Sequence, residues 1–197
     1  MLPFLLSVAL ASPPMELVPR GGPAKTMSTV VPTAGAAITT ADFVSAILDC
    51  DHYPLGASFM GVKALKSCKT LDKRSDGYTV VHQVTGGNAL VGSRQYVIAL
   101  KVVEQTDTKA RIEWDLVKHA GAVGSMTGPY ASTLNAVDAV HTPYNTGGWT
   151  YDKAAATIKY YVQSDPGGSV PGWLVSQDAV MAFPLELLRT RWGVGGG

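Results

Sequence analysis

The chain has 197 residues, 46% of them hydrophobic and 16% charged, a composition that excludes intrinsic disorder and fits a single domain. Sixteen Lys and Arg against fifteen Asp and Glu leave a formal charge of +1, and no basic cluster stands out. That balance excludes the footprint of a nucleic-acid binder and gives no expectation of strong attraction to anionic membranes.

Leu2 to Ala11 is an apolar run closed by Ala9-Leu10-Ala11, the small-x-small pattern that signal peptidase favours. It falls short of the ~20 residues of a membrane span. The n-region has no Lys or Arg and the run contains Pro3, so a misassigned start is the alternative. Residues 1–12 are thus a candidate signal peptide. The chain is secreted or periplasmic if they are one, and cytoplasmic otherwise.

Residues 12–24, rich in Pro and Gly, read as an extended lead-in. Lys25 to Val31 reads as a first strand ended by Pro32. Thr39-Thr40-Ala41-Asp42 is a capping box, and Phe43, Val44, Ile47 and Leu48 follow on one helical face. Asp51-His52-Tyr53-Pro54 ends that helix. Cys50 and Cys68 lie eighteen positions apart and read either as a disulfide or as two buried thiols. No paired Cys/His spacing supports zinc.

From Met60 to about Val162 the period is two. Tyr78, Val80, His82 and Val84 alternate with their neighbours, as do Ala110, Ile112, Trp114 and Leu116. Arg94, Tyr96, Ile98 and Leu100 share one strand face. One wet and one buried face means antiparallel strands. Further strands are expected over Thr133–His141, Gly147–Tyr151 and Ala154–Val162. Asp165-Pro166-Gly167-Gly168 is a turn. From Val170 to Trp192 the period is helical, with Leu174, Val175, Val180, Met181, Phe183, Leu187 and Leu188 apolar and Pro184 marking a kink or break. A curved sheet cannot cover its own concave face, so this last helix is its natural lid. A cavity of several hundred Å3, the usual size of a ligand site, is expected between the two.

Four stretches resemble one family. Asp42-Phe43-Val44 with Asp49 to Pro54 is similar to the first helix and Tyr-Pro corner of the START lipid-transfer domains, within the helix-grip, polyketide-cyclase-like superfamily. Ser93-Arg94-Gln95-Tyr96-Val97 resembles their S-R-D-[FY]-V strand. Most specific is Tyr160-Tyr161 through Asp165-Pro166-Gly167-Gly168-Ser169-Val170-Pro171-Gly172-Trp173-Leu174-Val175, which resembles the family's approach to its last helix. Pro184-Leu185 with Leu188-Arg189 fits the family's ending. The resemblance covers roughly residues 15–192. It implies an α+β helix-grip fold, a curved antiparallel sheet wrapped around a long C-terminal helix, over residues 13–193. Two departures matter. The family's Asp is Gln95 here, and the second arginine of sterol-binding members is Leu100.

The resemblance implies non-catalytic binding and transfer of a lipid or sterol-like molecule, with no cofactor, transient membrane contact and a monomeric state. The candidate ligand-binding residues are Arg94, Tyr96, Ile98, Leu100, Trp114, Tyr144, Trp149, Met181 and Phe183. A buried guanidinium is costly unless paired, so Arg94 either holds a ligand oxygen, makes a structural ion pair or sits at the strand mouth. Trp114, Tyr144, Trp149 and Tyr151 read as cavity aromatics or as core, and Trp173 as packing for the last helix. The alternatives are a cyclase or aromatase acting in the same cavity with a His or Tyr as proton shuttle, His82, His119 and His141 being the candidate bases, and a non-binding interaction module. No nucleophile triad or phosphate loop is present in the sequence.

Overall fold

The computed structural model describes residues 12–22, 24, 26–33, 35–86, 92–168 and 176–195. The candidate signal peptide, Trp173 and the 170–175 part of the expected last helix lie outside them. Strand β1 spans Thr26–Pro32 and is followed by helix α1, Thr40–Leu48. Its capping box forms as the sequence requires: Thr39 Oγ1 accepts from the Asp42 N–H, and Asp42 accepts from the Thr39 N–H. A single 3-10 turn, Cys50–His52, leads to a short hairpin, β2 (Ser58–Phe59) and β3 (Val62–Lys63). Then come β4 (Ser67–Lys73), β5 (Tyr78–Thr85), β6 (Arg94–Gln105) and β7 (Lys109–Leu116). Helix α2 (Ala131–Asn135), β8 (Val140–His141), β9 (Tyr144–Asp152), β10 (Thr157–Asp165) and helix α3 (Gln177–Trp192) complete the order.

The main sheet runs β1-β10-β9-β7-β6-β5-β4, antiparallel along that path, with β8 pairing parallel to β6. A register shift between Val102 and Glu104 lets the long strand β6 bend. Its inner face takes the two longer helices. Phe43, Ile47, Leu187 and Leu188 pack with Ile98, Ile112 and Ile158 in the main core, all nearly solvent-free. The outer face carries a smaller core of Val80, Val97, Ala99, Val117, Met126 and Leu134. Ser176 caps α3, and the helix continues through Pro184 without a break.

One expectation changes here. Thr133–His141 is not a strand: it holds α2 and the two residues of β8. The reason is tertiary. The Gln95 amide reaches the carbonyls of Leu134, Val137 and Ala139 and holds this segment in an irregular path. Residues 16–18 join the sheet, Val18 N–H donating to Leu116 O and Lys118 N–H to Glu16 O. Cys50 and Cys68 are bonded, with Cα atoms 5.4 Å apart. The bond ties the end of α1 to edge strand β4, worth ~3 kcal/mol in the chain-entropy model.

Candidate functional site

Register builds the site. Leu100 pairs with Trp114, Trp114 with Gly147, Gly147 with Val162 and Val162 with Met27. Directly paired residues share a face, so this row crosses five strands on the inner side. A second row sets Ile112, Trp149 and Tyr160 beside it. Gly147 is required: a Cβ there would lie 2.2 Å from Trp114 Cζ2, so only a hydrogen lets the indole lie flat on β9. The ring then stacks on Tyr160 at 5.7 Å and donates Nε1–H to Asn145 Oδ1 at 2.8 Å.

Above these rows lies a cavity of about 220 Å3, walled by the sheet, the β2–β3 hairpin and α3. Of the nine candidate residues, Arg94, Tyr96, Ile98, Leu100, Trp114, Trp149 and Phe183 line it. Two do not. Tyr144 turns away, its hydroxyl accepting from the Gly21 and Gly22 N–H groups. Met181 sits in the core beneath α3, 3% exposed. The volume is below the expected several hundred Å3 because aromatic rings fill much of the space. Trp149 and Tyr160 lie 4.5 Å apart, and Phe183 lies 5.2 Å from Tyr53.

The lining has a polar end and an apolar body. At the polar end Arg94, 8% exposed, donates to the carbonyls of Gly92, Pro166 and Gly167. It makes no ion pair among the described residues, and none of the residues outside them has a carboxylate side chain. Arg94 therefore clamps the start of β6 to the turn after β10. Thr142, Asn145 and Ser164 line the cavity nearby. In the body, the phenols of Tyr53, Tyr96 and Tyr160 face one another's fields, and burial pushes all three above the usual tyrosine range. Tyr53 donates to Ile47 O. Tyr53 and Tyr160 escaped the sequence reading of the site. Tyr160 had only inward register as its signal, which cannot be counted before the strands are paired, and Tyr53 follows the 3-10 turn, where no periodicity aims a side chain.

No family model and no curated protein matches the sequence. Solved structures do match. A STAR-related lipid transfer protein from Xanthomonas axonopodis (fragment 25–204) superposes with a TM-score of 0.59 at 16% identity, over 90% of each chain. The human StarD13 lipid transfer and protein localization domain gives 0.56 at 13%, over 90% of this chain and 82% of its own. Human StAR-related lipid transfer protein 5 gives 0.51 at 13%, over 89% and 85%. The fold is that of the START domains.

Within the START fold the three histidines stand outside the cavity. His82 lies behind β5, its Nε2 3.0 Å from Gln95 Oε1, and burial lowers its pKa. His119 and His141 meet edge to face at 5.8 Å near the outer core, where burial and the neighbouring ring push His141 down to about 4. Neither is placed to take a proton from a molecule in the cavity. Gln95, which replaces the START aspartate, explains itself. A carboxylate would face three carbonyl oxygens, whereas the amide nitrogen donates to them at 2.9–3.0 Å.

Proposed function

We propose that the chain binds a hydrophobic small molecule, a lipid or sterol-like compound, in this cavity and carries it between membranes without reacting with it. The observation that carries this reading is the hollow itself: an aromatic and aliphatic wall closed by α3, with polar groups gathered at one end. The fold shared with proteins described as lipid transfer proteins supports it. The wall also speaks against a cyclase. Among the described residues it holds no His, Asp or Glu, its one lysine, Lys63, is solvent-exposed, and its tyrosines stay protonated at neutral pH. We place the protein outside the cytoplasm, where the Cys50–Cys68 bond persists and where the apolar leader would send it.

Binding of a fluorescent fatty acid or sterol to the full chain tests the proposal, read beside native mass spectrometry after exposure to a lipid extract. Phe183→Asp places a carboxylate against the apolar wall and should cost at least ~10-fold in affinity, with the melting temperature near wild type. Failure of every lipid class to bind the folded wild type would sink the carrier reading.

A further inference from the structure

The β2–β3 hairpin has two sides with different tasks. Phe59 and Val62 line the cavity, and the exposed Lys63 borders it at the rim. Its tip is Met60-Gly61, with φ of 48° and 76°, a left-handed pair of the kind that closes two-residue hairpins. Glycine or asparagine adopts that backbone at little cost, whereas methionine does so under strain. The side chain gains nothing from packing in return, because Met60 is 72% exposed, the highest among the large apolar residues described. Leu55, on the approach to the hairpin, is 42% exposed. A strained, solvent-facing apolar residue beside a cavity is placed for something outside the molecule.

The charge around it says what that is. Between Asp51 and Asp72 the sequence has Lys63, Lys66 and Lys69 and no acidic residue, a local excess that the near-neutral total conceals. All three lysines are exposed. The acidic group closest to this stretch on α3, Glu186 beside Gly56, is engaged by Arg189 at 2.6 Å. Lys66 also donates to Ser93 Oγ at 2.9 Å, joining the stretch to the start of β6 and the polar end of the cavity.

We propose that the β2–β3 hairpin is a membrane-docking tip, with Met60 and Leu55 entering the headgroup region of a bilayer and Lys63, Lys66 and Lys69 meeting anionic lipid. A protein partner fits less well: the apolar tip is far smaller than the ~800 Å2 per side of a stable interface. A bilayer needs only shallow apolar insertion with basic residues around it. The proposal draws its purpose from the transfer reading, since the docked tip brings the cavity wall to the lipid. Its physics is independent of what the cavity holds.

The test is co-sedimentation of the full chain with phosphatidylcholine vesicles, with and without phosphatidylglycerol, beside fluorescent-lipid binding in vesicle-free solution. Wild type should sediment with the anionic vesicles, and less so as salt rises. Met60→Asp should reduce the bound fraction ~10-fold, and Lys66→Glu with Lys69→Glu should abolish the preference for phosphatidylglycerol. Both variants should bind the fluorescent lipid in solution like wild type. Met60→Asp sedimenting like wild type, or wild type ignoring both vesicles, would overturn the docking tip. Vesicle binding without any uptake of fluorescent lipid would leave the tip standing and remove the carrier reading instead.

Discussion

Strand β6 shows two ways of using one backbone. Its even-numbered residues, Arg94, Tyr96, Ile98 and Leu100, border a hollow. Its odd-numbered residues, Gln95, Val97 and Ala99, are almost solvent-free and closely packed. Polar groups differ in the same way. Gln95 is fully engaged, accepting from His82 and donating to three carbonyls. The Tyr96 and Tyr160 hydroxyls make no hydrogen bond among the described residues, and burial raises both above the usual tyrosine range. The outer face is therefore where this sheet gains specificity, and the inner face is where it keeps unfilled bonding capacity for a guest.

That contrast breaks first at Gln95. Gln95→Glu should destabilise the fold by about 4 kcal/mol, because a buried carboxylate would oppose three carbonyl oxygens. Urea unfolding measures it, and an unchanged midpoint would mean that the network is incidental. Next is Gly147→Ala, at about 3 kcal/mol, since the new methyl displaces the Trp114 indole. Here lipid binding should fall together with stability, because the cavity floor itself moves. Arg94→Met should cost about 2 kcal/mol by leaving three carbonyls without their donor. A melting temperature that holds while affinity falls would instead assign Arg94 to the guest.

The smallest effect is pH-dependent. His82 and His141 are held neutral in the fold, His141 down to about 4. The unfolded chain binds the His141 proton near 6.5 and the folded chain only near 4, and His82 is shifted in the same direction. Their stability contribution is therefore complete above about 6.5 and is lost as pH falls from there toward 4. Thermal melts from pH 7 to 5 should show a decline of a few degrees. Lipid binding below the transition should stay flat over that range, since both imidazoles lie away from the cavity. Binding that titrates in step with stability would erase the distinction between the faces.

Much of this was legible in the residues. The capping box at Thr39, the alternation on β7 and the turn at Asp165 to Gly168 each act over a few positions, where local physics dominates. Six of the seven candidate residues that reached the cavity did so because period two on β6 and aromatic content on β7 and β9 select one face, and Phe183 came from the helical period of α3. Tyr144 and Met181 missed it for opposite reasons. Tyr144 belongs to the face that receives residues 12–22, and β9 carries large side chains on both sides. Met181 follows helical period, but α3 buries a wide stripe, and periodicity does not say which part of a stripe meets core and which meets space. The irregular path at 131–141 depends on Gln95, some forty residues earlier in the chain. No window along the sequence contains both.

The Cys50–Cys68 bond has a consequence for breakage. It closes residues 50–68 into a covalent ring that contains the whole β2–β3 hairpin. Lys63 and Lys66 are the ring's only trypsin sites, and both are exposed. A cut at either opens the hairpin but frees no part of the molecule, because both new ends remain attached through the sulfurs. Trypsin-nicked protein should run as one band on a non-reducing gel and as two after thiol is added. A protease could thus open the tip while edge strand β4 remains tethered to α1.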